Sequence, residues 1–180
     1  MKIDNSWNRY FGKENDPGYK RYAYSVSQLF GSVLDIGCGD GFGIYLMNKQ
    51  SVIKKITGID NQTEAIQKAK INLKGIDAMI LKADVENIPF PNNSFDCIHC
   101  GQTLEHVEDD KKAIQEIHRV VRKRVVFSIP VNGGRSEQHV REYKSEKDFF
   151  DLISGYFKVI KAKTFVDNEK HIRIVLVTEK

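Results

Sequence analysis

Residues Val33-Leu34-Asp35-Ile36-Gly37-Cys38-Gly39-Asp40-Gly41-Phe42-Gly43 constrain the fold more than any other stretch. A buried strand must end at Gly37, turn through a loop nearly free of side-chain bulk, and enter a helix. Glycine permits left-handed backbone and lets another group approach the main chain closely. The same strand–helix alternation then repeats. Strands are predicted at 32–36, 55–59, 78–81, 95–99 and 124–129, and helices at 43–49, 63–73, 109–121 and 144–154. Thr63 is the candidate cap of the second of these helices, and Ala65, Ile66, Ala69 and Leu73 form its inner face. Alternation of this kind implies a parallel sheet with right-handed crossovers. Two final strands at 156–165 and 171–178 have no helix between them, only the polar turn Asp167-Asn168-Glu169. A connection that short predicts an antiparallel hairpin.

Before the first strand, Pro17 suits a first helical turn, and Tyr19, Tyr22, Ala23, Val26 and Phe30 form a helical apolar stripe. Residues 1–16 read as a loose aromatic arm. With Trp7, Tyr10, Phe11, Tyr19, Arg21 and Tyr22, the segment up to residue 30 has the composition of a lid over a site or of a helix packed on the sheet edge. A chain of 180 residues without repeats or linkers reads as a single domain, 1–180. Its net charge of +4 allows an anionic ligand without demanding nucleic acid. No apolar run approaches the roughly 20 residues of a membrane span, and the start has no apolar signal core. Three cysteines, an odd count, argue against a disulfide framework and for a cytoplasmic location. Cys97 and Cys100 have metal-knuckle spacing, but on a strand an offset of three points them to opposite faces.

Acidic residues mark the strand ends. Asp60 closes the second strand about 20 residues beyond the glycines, where a carboxylate can accept both hydroxyls of a ribose. A loop-start aspartate capping the next helix is the plainer alternative. Asp84 follows the third strand and could accept from an adenine amino group. Phe42 stands where a dinucleotide fingerprint wants glycine, and Asp35 and Asp40 would oppose a pyrophosphate at the helix start. The same carboxylates suit a cation.

In these motifs the sequence resembles the class I S-adenosylmethionine-dependent methyltransferases. Val33–Gly43 is similar to their first motif, 56–60 to the second, 83–84 to the third and 94–100 to the fourth strand. The resemblance implies an α/β fold, a Rossmann-like seven-stranded mixed sheet with helices on both faces and an antiparallel C-terminal hairpin. It implies S-adenosyl-L-methionine as cofactor, its nucleoside near Asp60, Asn61, Asp84 and Val85. The methionyl end would lie near Asp35, Asp40, Gly37, Cys38, Gly39 and Gln102. Gln102-Thr103-Leu104-Glu105-His106-Val107, 128–132 and 139–143 resemble segments of the small-molecule branch, which includes ubiquinone-pathway O-methyltransferases and sugar-cluster methyltransferases. The usual Pro-Gly-Gly turn before strand five is replaced by Val121-Arg122-Lys123-Arg124, read here as a shorter turn.

Methyl transfer from a sulfonium is an in-line displacement, so the protein chiefly aligns the groups and excludes water. His106 and His139 are the candidate bases for a hydroxyl or amine acceptor. Gln102, Glu105 and His106, read as i, i+3 and i+4 of one helical turn, raise a metal alternative. Glu105, His106 and His139 would be its ligands, as in the small-RNA ribose methyltransferases that this segment resembles, although Gln102 stands where those have a glutamate. The expected acceptor is a small molecule, because a chain this short has few insertions to hold a large one. A metal-assisted RNA 2′-O-methyltransferase, a non-catalytic cofactor-binding subunit and a nicotinamide oxidoreductase are the alternatives, the last opposed by Phe42.

Overall fold

In the computed structural model, the described residues are 7, 10, 13–131, 139–167 and 171–180. Asn132 of the 128–132 segment, the turn residues Asn168 and Glu169, and Phe11 of the arm lie outside them. Asp16 opens the first helix, α1 (Pro17–Ser27), by accepting the Tyr19 N–H at 3.1 Å. The alternation follows as β1 (Gly31–Ile36), α2 (Phe42–Met47), β2 (Ile53–Asp60), α3 (Thr63–Asn72), β3 (Met79–Lys82), β4 (Phe95–Gly101), α4 (Asp110–Val120), β5 (Val121–Val131), α5 (Glu146–Ile153), β6 (Lys158–Asp167) and β7 (His171–Glu179).

The seven strands form one sheet in the order β3-β2-β1-β4-β5-β7-β6. β1 pairs in parallel with β2 and β4, β2 with β3, and β4 with β5. β7 runs antiparallel to both β5 and β6, so the C-terminal hairpin forms as its short connection requires. Strand order reverses at β1 and β4, the place where open α/β sheets leave a crevice at their carboxyl ends.

Two cores cover the two faces. One joins Ile114, Ile117 and Val120 of α4 and Phe149 and Ile153 of α5 to Leu34, Ile98 and Phe127 of the sheet. The other joins Val26 of α1, Ile44 and Met47 of α2 and Ile66 and Ala69 of α3 to Val33, Cys97 and Val126. Neighbouring strand residues therefore alternate between cores, as a period of two demands. Cys97 and Cys100 fall in different cores, both buried, as their spacing requires.

Some boundaries differ from expectation. Residues 121–124 are not a turn: α4 ends at Val120 and β5 begins at Val121, both fully buried, so the helix feeds the strand directly. Thr63 does not cap α3. Gln62 precedes the helix, Asp60 Oδ1 accepts its N–H at 2.9 Å, and Thr63 Oγ1 accepts from Lys82 Nζ. Ser145 and Asp148 form a reciprocal capping box that starts α5 at Glu146. Among the described residues no helix is long and apolar enough to cross a membrane.

Candidate active site

A cleft of about 610 Å³ opens at the carboxyl ends of β1 to β4. Strand ends supply its walls: Ile36, Gly37 and Gly39 after β1, Asp60 and Asn61 after β2, Ala83 to Glu86 after β3, Gln102 and Thr103 after β4. His106, Val107 and Glu108 close one side.

The glycine loop is built as its sequence requires. Gly37, Gly39 and Gly41 have φ of 68°, 54° and 90°, the left-handed region that side chains rarely adopt. Thr103 holds the turn by donating its hydroxyl to Ile36 O at 3.1 Å and Gly101 O at 3.2 Å. A Cβ on Gly37 would overlap the Thr103 side chain, whereas a Cβ on Gly39 would meet nothing within 4 Å. Gly39 therefore leaves open space above the loop.

Asp60 braces that loop. Its Oδ2 accepts the Gly39 N–H at 3.0 Å and its Oδ1 the Gln62 N–H at 2.9 Å. A carboxylate has about four acceptor positions, so two are left for hydroxyls in the cleft. Asp60 thus lines the cleft and accepts the N–H of Gln62, the residue before α3, without capping the helix itself. Asp84, exposed after β3, accepts the Glu86 N–H at 2.9 Å and lines the cleft beside buried Val85.

Asp35, Asp40 and Cys38 are not among the residues lining the cleft. Asp35 is 3% exposed and its Oδ1 lies 2.6 Å from His99 Nδ1. The two residues are register partners on β1 and β4, so their side chains share one face and meet beneath the loop. Asp40 accepts the Phe42 N–H at the start of α2. The Cys38 side chain turns into the core toward Gly58, and burial raises its thiol pKa far above the ordinary range.

Gln102 is placed in the cleft but not on a helix. Its φ of 55° ends β4, and the short 3-10 turn Leu104–His106 begins after it. It therefore does not share one helical face with Glu105 and His106. Its amide donates to Ser128 O at 3.1 Å, and its Oε1 accepts from Arg173 Nε at 2.6 Å. Glu105 is 1% exposed, and its Oε2 has no hydrogen-bond partner among the described residues. Burial raises its carboxyl pKa against the pull of His106, Arg173 and Arg21. The Glu105 carbonyl accepts the Val140 N–H, which brings His139 alongside, and the His106 and His139 rings lie 4.9 Å apart, edge to face. Donor atoms of Glu105, His106 and His139 lie within 4.8 Å of one another. Burial, with the nearby His106 and Arg173, lowers the His139 pKa below its ordinary 6.5.

Ala65, expected on the inner face of α3, lines the cleft instead, and Thr103, Ala83 and Val107, which lie in the motif segments but were given no site role from the sequence, line it too. Thr103 and Ala83 each sit at a strand end and were open to that argument. The His99–Asp35 pair was not, because it depends on strand register.

The arm packs on Phe42, the first residue of α2. Tyr10 stacks on it at 4.2 Å, while Trp7 and Tyr22 approach its ring edge to face at 6.0 and 5.4 Å. Trp7 and Tyr10 are both buried. The position where a dinucleotide loop keeps glycine is thus filled by an aromatic anchor.

Three similarities accompany this geometry. The chain is 32% identical over 144 residues to the rat arginine-hydroxylase NDUFAF5, mitochondrial, spanning 76% of this chain and 40% of that protein. It is 29% identical to the ubiquinone/menaquinone biosynthesis C-methyltransferase UbiE of Desulfotalea psychrophila, spanning 68% of this chain and 46% of that one. The chain thus spans less than half the length of these relatives. Its fold matches that of the [4+2]-cyclase SpnF with a TM-score of 0.77 at 17% identity, over 90% of this chain and 81% of the other. The Methyltransferase domain family model matches residues 34–129, more than half of the chain. That span holds the glycine loop, Asp60, Asp84 and the end of β4, and the protein belongs to the class I S-adenosylmethionine-dependent methyltransferases.

Proposed function

We propose that this protein transfers a methyl group from S-adenosylmethionine to a small-molecule acceptor. The observation that carries it is Asp60, which binds the glycine loop with one face of its carboxylate and lines the cleft with the other. The cleft fits the cofactor: Gly39 leaves space at the loop, and two carboxylates and buried Val85 stand where a nucleoside needs acceptors and an apolar contact. Asp60 takes the ribose hydroxyls, Asp84 and Val85 flank the base, and Gly37, Gly39 and Gln102 border the methionyl portion. The cofactor supplies a methyl group made electrophilic by its positive sulfur. His139 is the candidate base, because its lowered pKa keeps it neutral near pH 7 and able to accept a proton. His106 stands beside it.

Calorimetry tests the first step. S-adenosylmethionine and S-adenosylhomocysteine bind, NADH does not, and Asp60→Ala weakens binding at least tenfold, about 1.4 kcal/mol. Binding of NADH in their place overturns the reading. Since one relative is named a hydroxylase, the product is analysed by mass: a gained methyl group supports transfer, a gained oxygen refutes it.

A second reading is favoured by the Glu105, His106 and His139 cluster, which suits a divalent cation assisting transfer to a hydroxyl. Ligands about 2.1 Å from a metal stand at most about 4.2 Å apart, so modest closure completes the set. Metal analysis of purified protein, with turnover before and after chelation, decides between the readings. Full activity without metal excludes the second.

A further inference from the structure

β6 is an outer strand of the sheet, 10 residues long, and it pairs on one side only, with β7. Alternate residues of such a strand turn N–H and C=O away from the sheet, which leaves a row of unmade backbone hydrogen bonds. Among the described residues no other backbone segment bonds to that row.

The side chains add a pattern to this edge. Lys161, Lys163 and Phe165 stand opposite Val177, Val175 and Arg173 of β7, so they share the face that carries α1. Lys161 Nζ donates to Gln28 Oε1 at 3.3 Å. Lys163 Nζ lies 4.6 Å from the centre of the Tyr24 ring and 5.3 Å from that of Phe165. Neither lysine forms an ion pair among the described residues. Two exposed ammonium groups are thus held beside the edge by neutral partners, with their charge uncompensated.

A groove of about 610 Å³ continues this face between α1 and the end of β6. Pro17, Tyr19, Ala23 and buried Phe165 give it apolar walls, and exposed Lys20 joins Lys163 along it. Glu14 is the one acid among its described lining residues. Asp16 accepts from the Tyr19 N–H, and Glu179 is paired with Arg124. No residue of the groove lines the cleft, so this surface is separate from the candidate active site.

We propose that β6 docks an acidic, extended segment of a partner protein, which pairs with its edge as an added strand and seats an apolar side chain in the groove. Side chains two residues apart share one face of the added strand. The apolar residue lies beside Phe165, and acids two and four positions along the segment meet Lys163 and Lys161. Backbone bonds supply affinity in this mode of recognition, while pocket and charges supply specificity. The lysines that repel a second copy of β6 attract this partner. Nucleic acid fits the same charges less well: Phe165 is buried and Lys163 lies over the Tyr24 ring, so these rings are poorly placed to stack on bases.

The test uses the full chain and two end-capped, fluorescein-labelled peptides, Ser-Phe-Thr-Glu-Thr-Glu-Thr-Ser and the same residues in reverse order, which sample both strand directions. By fluorescence anisotropy one of them should bind at least about fivefold more tightly than its counterpart with glutamine for both glutamates. It should exceed its counterpart with serine for phenylalanine by a similar factor. Lys161→Glu combined with Lys163→Glu should weaken binding at least about tenfold and leave thermal denaturation unchanged. Binding should also slow amide hydrogen exchange in β6, which attachment through charge alone would not do. Equal binding of acidic and neutral peptides overturns the proposal, as does failure of both orders to bind or unchanged exchange in β6. A labelled oligouridylate that binds more tightly than the peptides, and loses affinity in the double variant, assigns the lysines to nucleic acid and overturns it too. The peptide comparisons and the exchange measurement use the wild-type chain, so they decide the matter even where the variant fails to fold.

Discussion

Gly37 and Gly39 share a left-handed backbone but differ in what surrounds them. Alanine at either site pays about 1–2 kcal/mol for its φ. At Gly37 the added methyl also enters space held by Thr103, with its Cγ2 at 2.8 Å, and overpacking adds about 1–3 kcal/mol. Gly37→Ala should therefore lower stability by about 3 kcal/mol in urea denaturation. Gly39→Ala should lose only the backbone share, yet weaken S-adenosylhomocysteine binding, because its methyl projects into open space over the loop. Asp96 sets a pH dependence at the opposite end of the sheet. The Ser32 N–H and hydroxyl, with Arg122, hold its carboxyl at about 2, below the ordinary 3.8. A group depressed on folding stabilises the native state above its unfolded pKa. That contribution is fully present above about pH 4 and disappears as the pH falls toward 2. Asp96→Asn should flatten the stability profile in that window, measured by denaturation from pH 5 to 2.

α2 and α1 show how a single aromatic side chain organises several elements. Phe42 opens α2 and receives Tyr10 and Trp7 from the arm and Tyr19 and Tyr22 from α1. Burial of this kind makes Phe42→Ala cost about 3–5 kcal/mol. The arm should then detach, so limited proteolysis should cut before Pro17 in the variant well before the wild type. Most element types followed from local pattern: alternating apolar runs gave β2, β4 and β7, and the stripe Ala113, Ile114, Ile117, Val120 gave α4. The start of β5 did not. Charged Arg122-Lys123-Arg124 look like a turn in sequence, but the backbone pairing with β4 and β7 extends the strand through them. Gln102 likewise looks helical by spacing, and its conformation is set instead by its bonds to Ser128 and Arg173.

At the scale of the whole molecule, two cores enclose the three cysteines. Cys97 and Cys100 sit on opposite faces of β4, and burial pushes the Cys97 thiol up to about 11 and the Cys100 thiol higher still. Thiolate is the reactive form, so the folded protein should resist iodoacetamide at pH 7.5, while all three cysteines react in guanidinium. Mass spectrometry counts the additions, and rapid labelling of the native protein would contradict the packing described here. The outer strand β6 carries Lys158, Lys161 and Lys163, charges that discourage edge-to-edge pairing of sheets.

The amino-acid order by itself determined the alternating α/β architecture, the glycine loop and the acids at the ends of β2 and β3. Each depends on a few neighbouring residues: period, a left-handed turn, a strand terminus. Only the tertiary structure decided that Asp35 turns to His99, that Glu105 lies buried between histidines and arginines, and that Arg21 reaches Ser128 from 107 residues away. Those relations depend on strand register and helix docking, which bring together groups that no local spacing connects.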